Sequence, residues 1–163
     1  MLFSPLPAGM RQKLGLLTEA DGDLELAGEF LSLLAAGQVD FTLAFRQLSD
    51  ATDCPDAETA LRSLFTDEQP FETWAGRWRS RLEREPDHTA TPGVRMRAVN
   101  PAFIPRNHRI EAMIEAAVQS EDFAPFEELM LVLAKPFEDQ ACFARYMDPP
   151  QPDERVGQTF CGT

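Results

Sequence analysis

The chain has 163 residues, with 27 Asp or Glu against 15 Lys or Arg, for a formal net charge of −12. A surface of that sign repels phosphate backbones and anionic lipid, which argues against nucleic-acid and membrane-surface partners. The length and an apolar fraction of 44% suffice for one ordinary core, and no apolar run approaches the ~20 residues of a membrane span.

The opening residues Met1-Leu2-Phe3-Ser4-Pro5 have neither the basic region nor the apolar stretch of a secretion signal, so the chain is read as cytoplasmic. Cys54, Cys142 and Cys161 are odd in number, widely spaced and without a CxxC pair, a usage that fits reduced thiols.

Apolar residues recur at helical spacing almost throughout. Leu24, Ala27, Leu31 and Leu34 predict a helix that Gly37 ends, and Phe41, Ala44, Phe45 and Leu48 predict another with Asp40 as N-cap. Pro55-Asp56 opens a third segment with Leu61, Leu64 and Phe65 on its face, and Phe71, Trp74, Trp78 and Leu82 mark a fourth. Residues 86–105, with Pro86, Pro92, Pro101 and Pro105, read as a long proline-rich loop. Helical spacing resumes at Ile110, Met113, Ile114, Ala117 and Val118, then at Phe126, Leu129, Met130 and Leu133, where Pro125 suits a first turn and Lys135-Pro136 stops the helix. The expected fold is all-α: about six helices in a single helical domain over 1–163, with 137–163 as an extended tail.

Three local patterns invite chemistry. The acidic stretch Glu19-Ala20-Asp21-Gly22-Asp23-Leu24-Glu25 fits no EF-hand register, because neither start places glycine sixth and glutamate twelfth; a solvated turn is expected. Trp74 and Trp78 share a helix face beside Arg77, Arg81 and Arg84, which reads as core flanked by a solvated basic stripe. His108 and Glu111 stand three residues apart, but the second histidine, His88, lies in the proline-rich loop; a hydrogen-bonded helix start capped by Asn107 is expected rather than a metal site. No GxGxxG, Walker or GxSxG motif is present.

Four blocks in order resemble one family. Met10-Arg11-Gln12-Lys13-Leu14-Gly15-Leu16 resembles an M-x-x-K-L-G-L opening, and Asp40-Phe41-Thr42 with Phe45-Arg46-Gln47-Leu48 resembles a D-x-T-x-x-F-R-x-L helix. Asn100-Pro101-Ala102-Phe103-Ile104-Pro105-Arg106-Asn107-His108, followed by Glu111 and Ala116-Ala117, is similar to the N-P-x-x-I-P-R-N-H hallmark of the selenoprotein O (YdiU) family, and Thr159-Phe160-Cys161-Gly162-Thr163 to its terminal T-F-C-G-T. The similarity runs from about Met10 to Thr163.

The resemblance implies the C-terminal helical portion of a kinase-like protein adenylyltransferase, which uses ATP and Mg2+ to place AMP on Ser, Thr or Tyr hydroxyls of proteins. The family's phosphate-binding, metal-binding and base residues belong to an upstream core, so no catalytic, cofactor-binding or metal residue carries over to this chain. The implied partners are that kinase-like core and its protein substrates. One position does carry over: Cys161 matches the family's redox position, whose expected partner in bacterial relatives is a cysteine of the kinase-like activation region. The expected role is a scaffold that docks on the kinase-like lobe, with the Trp74/Trp78 helix or the 86–105 loop contributing an exposed apolar surface. A free-standing helical interaction module and a thiol-redox protein acting through Cys161 are the alternatives.

Overall fold

The computed structural model describes residues 7–86 and 91–155, and every regular element among them is helical. The protein is all-α. In chain order the helices are α1 Ala8–Lys13, α2 Asp23–Gly37, α3 Phe41–Ala51, α4 Pro55–Arg62, α5 Glu68–Leu82, α6 Pro92–Arg97, α7 Asn107–Ser120 and α8 Ala124–Leu133, followed by 3₁₀ turns at Ala141–Tyr146 and Pro152–Glu154. Contacts group the chain into two compact units, Met1–Asn100 and Pro101–Thr163, where the sequence suggests one domain.

In the first unit α2 packs on α5, and α3 packs on α4 and α6. Its core is aromatic. Phe30 stacks on Trp74 at 4.3 Å and meets Phe45 edge-on at 5.1 Å, while Trp74 stacks on Trp78 at 5.7 Å. Both indole N–H groups are satisfied, Trp74 donating to Leu26 O at 2.7 Å and Trp78 to Leu14 O at 3.0 Å, as buried tryptophan requires. The Trp74/Trp78 face therefore supplies core, as its spacing predicts, and not the exposed apolar surface expected of either this helix or the 86–105 loop. Asp40 caps α3 as expected, accepting from Leu43 N at 2.8 Å. The α2 face is rotated from the expected one: Leu26, Ala27, Phe30 and Leu34 are buried and Leu24 is exposed, because Phe30 must reach Trp74.

The proline-rich stretch is not a continuous loop. Thr91 precedes α6, and Pro92 takes the first helical position, where a missing N–H costs nothing. Arg97 at the end of α6 pairs with Asp50 at 3.2 Å and Asp53 at 2.8 Å. The expected extended tail is also partly helical, since the 3₁₀ turn at Ala141–Tyr146 buries Tyr146.

In the second unit α7 packs on α8. Glu121, left-handed at φ 52°, closes α7, and Asp122 accepts from Ala124 N at 3.0 Å to start α8. The buried core is Ala102, Phe103, Leu129, Val132 and Tyr146.

Candidate functional site

Three of the blocks singled out in the sequence meet at one junction of the first unit. Asn100 is fully buried, and its side chain is used completely: Nδ2 donates to Lys13 O at 3.0 Å and Ser49 Oγ at 3.1 Å, and Oδ1 accepts from Lys13 Nζ at 3.1 Å. Arg46, also buried, donates to Asn100 O at 3.1 Å. The Lys13 ammonium lies 5.5 Å from the Phe45 ring centroid and 5.7 Å from that of Phe41, within cation–π range. Burial lowers the Lys13 pKa. Gly15, two residues on, has φ 78°, and a Cβ there would stand 2.9 Å from Met96 Sδ. That backbone conformation and that closeness both favour glycine.

A second cluster was not anticipated. Arg81 is buried and forks onto Asp23, Nε to Oδ1 at 2.7 Å and Nη2 to Oδ2 at 3.2 Å, while its Nη1 reaches Glu85 at 2.5 Å. Glu85 also accepts from Leu17 N, Thr18 N and the Thr18 hydroxyl, each at 3.1 Å. Burial pushes the Glu85 carboxyl up, but the bonds from Arg81, Thr18 and Leu17 outweigh it and hold the pKa below the ordinary carboxylate value. The bond to Asp23 raises Arg81 against the opposing pull of burial. Asp23 is thus no part of a solvated turn, and Arg81 no part of a solvated stripe; Arg77 keeps that exposed role and pairs with Glu29. The spacing of Arg81 and Glu85 was readable as i, i+4, but nothing local linked either to Asp23.

The Asn100–His108 block crosses the boundary between the units. Ala102 N and Phe103 N donate to Pro136 O at 2.8 and 3.1 Å. Arg106, not Asn107, is the N-cap residue of α7, and no side chain caps that end; the capping role expected of Asn107 is not realised. Arg106 Nη2 donates to Met147 O at 2.8 Å. His108 is buried, and its Nε2 has no hydrogen-bond partner. Burial lowers its pKa, with Arg109 and Arg106 adding to the effect and Glu154 and Asp148 opposing it. The imidazole is therefore neutral near pH 7, and it lines a cleft of about 420 Å³ with Ile104, Pro105, Pro150 and Arg155.

A family model described as Protein adenylyltransferase SelO matches residues 5–134, the stretch that contains the junction, the Arg81 cluster and His108. The chain belongs to the SelO family. Relatives agree: it is 56% identical over 156 residues to the protein nucleotidyltransferase YdiU of Rhodopseudomonas palustris strain CGA009, and 56% identical over 156 residues to that of Bradyrhizobium sp. strain BTAi1. Each alignment covers 96% of this chain but 32% of the relative, so the chain spans about a third of the length of the YdiU proteins it matches.

Within this SelO-family chain Lys13, Arg46 and Asn100, from the three blocks that lie among the described residues, are structural in what they touch. Lys13, Arg46 and Asn100 hydrogen-bond to one another, to backbone and to the Ser49 hydroxyl. Among the described residues no three His, Cys, Asp or Glu side chains group to hold a metal ion, and the buried carboxylate Asp23 is engaged by Arg81. Cys54 and Cys142 are free and exposed, and Cys161 and His88 lie outside the described residues. No helix among the described residues is long and apolar enough to cross a membrane.

Proposed function

We propose that this chain is the C-terminal helical portion of a protein adenylyltransferase, a scaffold for a cytoplasmic enzyme that moves AMP from ATP onto Ser, Thr or Tyr hydroxyls of proteins. The observation that carries this reading is 56% identity to a YdiU nucleotidyltransferase over 96% of the chain. In such a transfer a protein hydroxyl attacks the α-phosphorus of ATP and pyrophosphate leaves. The developing charge calls for cations and Mg2+ converging on the phosphates, and this reading assigns them to the remainder of the family chain. The contribution of this chain is rigidity, from the aromatic core and the Asn100 and Arg81 networks. Cys161 is assigned redox regulation, with its partner thiol in the kinase-like core.

The test replaces the aligned stretch of Rhodopseudomonas palustris YdiU with this chain and measures AMP transfer to protein with labelled ATP and Mg2+. The graft is expected to keep activity within about tenfold of the parent, a modest change in barrier. The isolated chain is expected to gain no AMP by intact mass. A folded but inactive graft overturns the reading, and AMP gained by the isolated chain overturns its scaffold part.

A further inference from the structure

α7 and α8 turn much of their apolar surface away from their own unit. His108 is the one described residue of α7 that is buried, whereas Val118 is 76% exposed, Phe123 58% and Ile114 47%. Met113, Ile114, Ala117, Val118, Phe123 and Phe126 line a groove of about 360 Å³ without a polar side chain. A contiguous apolar patch of this kind marks an interaction surface.

The surroundings of the groove indicate what covers it. Glu111, Glu115, Glu121, Asp122 and Glu127 are exposed on the same hairpin. The only cation between 107 and 134 is Arg109, which is held by Arg145 O at 2.8 Å. A second copy docking by a two-fold would set one acidic rim against another. The YdiU chains, by contrast, carry about two thirds of their length outside the aligned stretch. We propose that the α7–α8 face docks that remaining two thirds of the family chain, through an apolar surface rimmed by Lys and Arg. This rests on the reading that the chain serves a catalytic core, and it names the face through which it does so.

The experiment places Val118→Cys in the isolated chain and in the Rhodopseudomonas palustris YdiU graft, and follows maleimide labelling of residue 118 by peptide mass spectrometry. Labelling in the graft is expected to be at least about tenfold slower, as for a site reached only through local opening. Equal rates in a graft that still transfers AMP overturn the docking face and leave the scaffold reading standing. A folded graft that labels slowly but transfers no AMP supports the face and overturns the scaffold reading. Slow labelling of the isolated chain that speeds up on dilution overturns the proposal in favour of a second copy. Val118→Asp supplies an independent check: it is expected to lower the thermal midpoint of the graft and leave that of the isolated chain unchanged, and equal shifts in both overturn the proposal.

Discussion

Arg81 shows how much can hang on one side chain. Two carboxylates, Asp23 and Glu85, are buried beside it, with side chains 3% and 2% exposed. Removing one member of a buried ionic group leaves charge without compensation, which typically costs about 3–5 kcal/mol. Arg81→Met, similar in length and without charge, is therefore expected to destabilise the first unit by about that amount in urea unfolding; a loss under about 1 kcal/mol would show that water screens the carboxylates. The same cluster sets a pH dependence. Because Glu85 has a lowered pKa in the fold, its stabilisation is complete above the unfolded glutamate value of about 4.3 and is lost as pH falls through the lower folded value. Glu85→Gln is expected to be less stable than the parent at neutral pH, with the gap closing as pH falls below about 4.3. Unfolding free energies of both proteins across that range check this, and a gap independent of pH refutes it.

At the scale of the helix, α6 illustrates a close approach that one glycine permits. A Cβ on Gly93 would lie 2.6 Å from Ser49 O and closer still to Thr52 Oγ1 and Asp53 Oδ2, so α6 could not sit this near the end of α3 with any other residue there. Gly93→Ala gains helix propensity but forces the two helices apart. Overpacking of that order costs about 1–3 kcal/mol, and a lowered thermal midpoint is expected; an unchanged or raised midpoint would mean that α6 shifts freely. No sequence pattern announces this contact. Pro92 reads as a breaker until it is seen at the first helical position, and α6 is too short for its own periodicity to show. By contrast α3 and α5 were legible, because Ala44, Phe45 and Leu48, and Phe71, Trp74 and Trp78, repeat over several turns. The α2 face was misread at two of its four positions, because Leu24 and Leu26 both fit helical spacing with Ala27 and Leu34, and only the distant Trp74 decides between them. The junction at Asn100 was legible as motifs but not as a site. Its bonds to Lys13 and Arg46 span 87 and 54 residues, separations at which periodicity is silent.

For the whole molecule, the two units are unequally equipped to stand alone. Among the described residues the first holds sixteen buried apolar residues and the second five, with the groove of α7 and α8 open besides. A unit of the second one's size sits near the lower limit at which a core outweighs chain entropy. The two are therefore expected to unfold separately in urea, the second first. Both tryptophans of the chain, Trp74 and Trp78, are buried in the first unit, so indole fluorescence reports that unit alone, whereas far-UV circular dichroism reports the helices of both. Ellipticity is expected to begin falling at lower urea than fluorescence, in a step that reflects α7 and α8. Coincident curves would mean that the units unfold as one, as two-state behaviour requires. In the YdiU graft the early step is expected to disappear, because a face covered by the rest of the chain no longer unfolds at the cost of five buried residues.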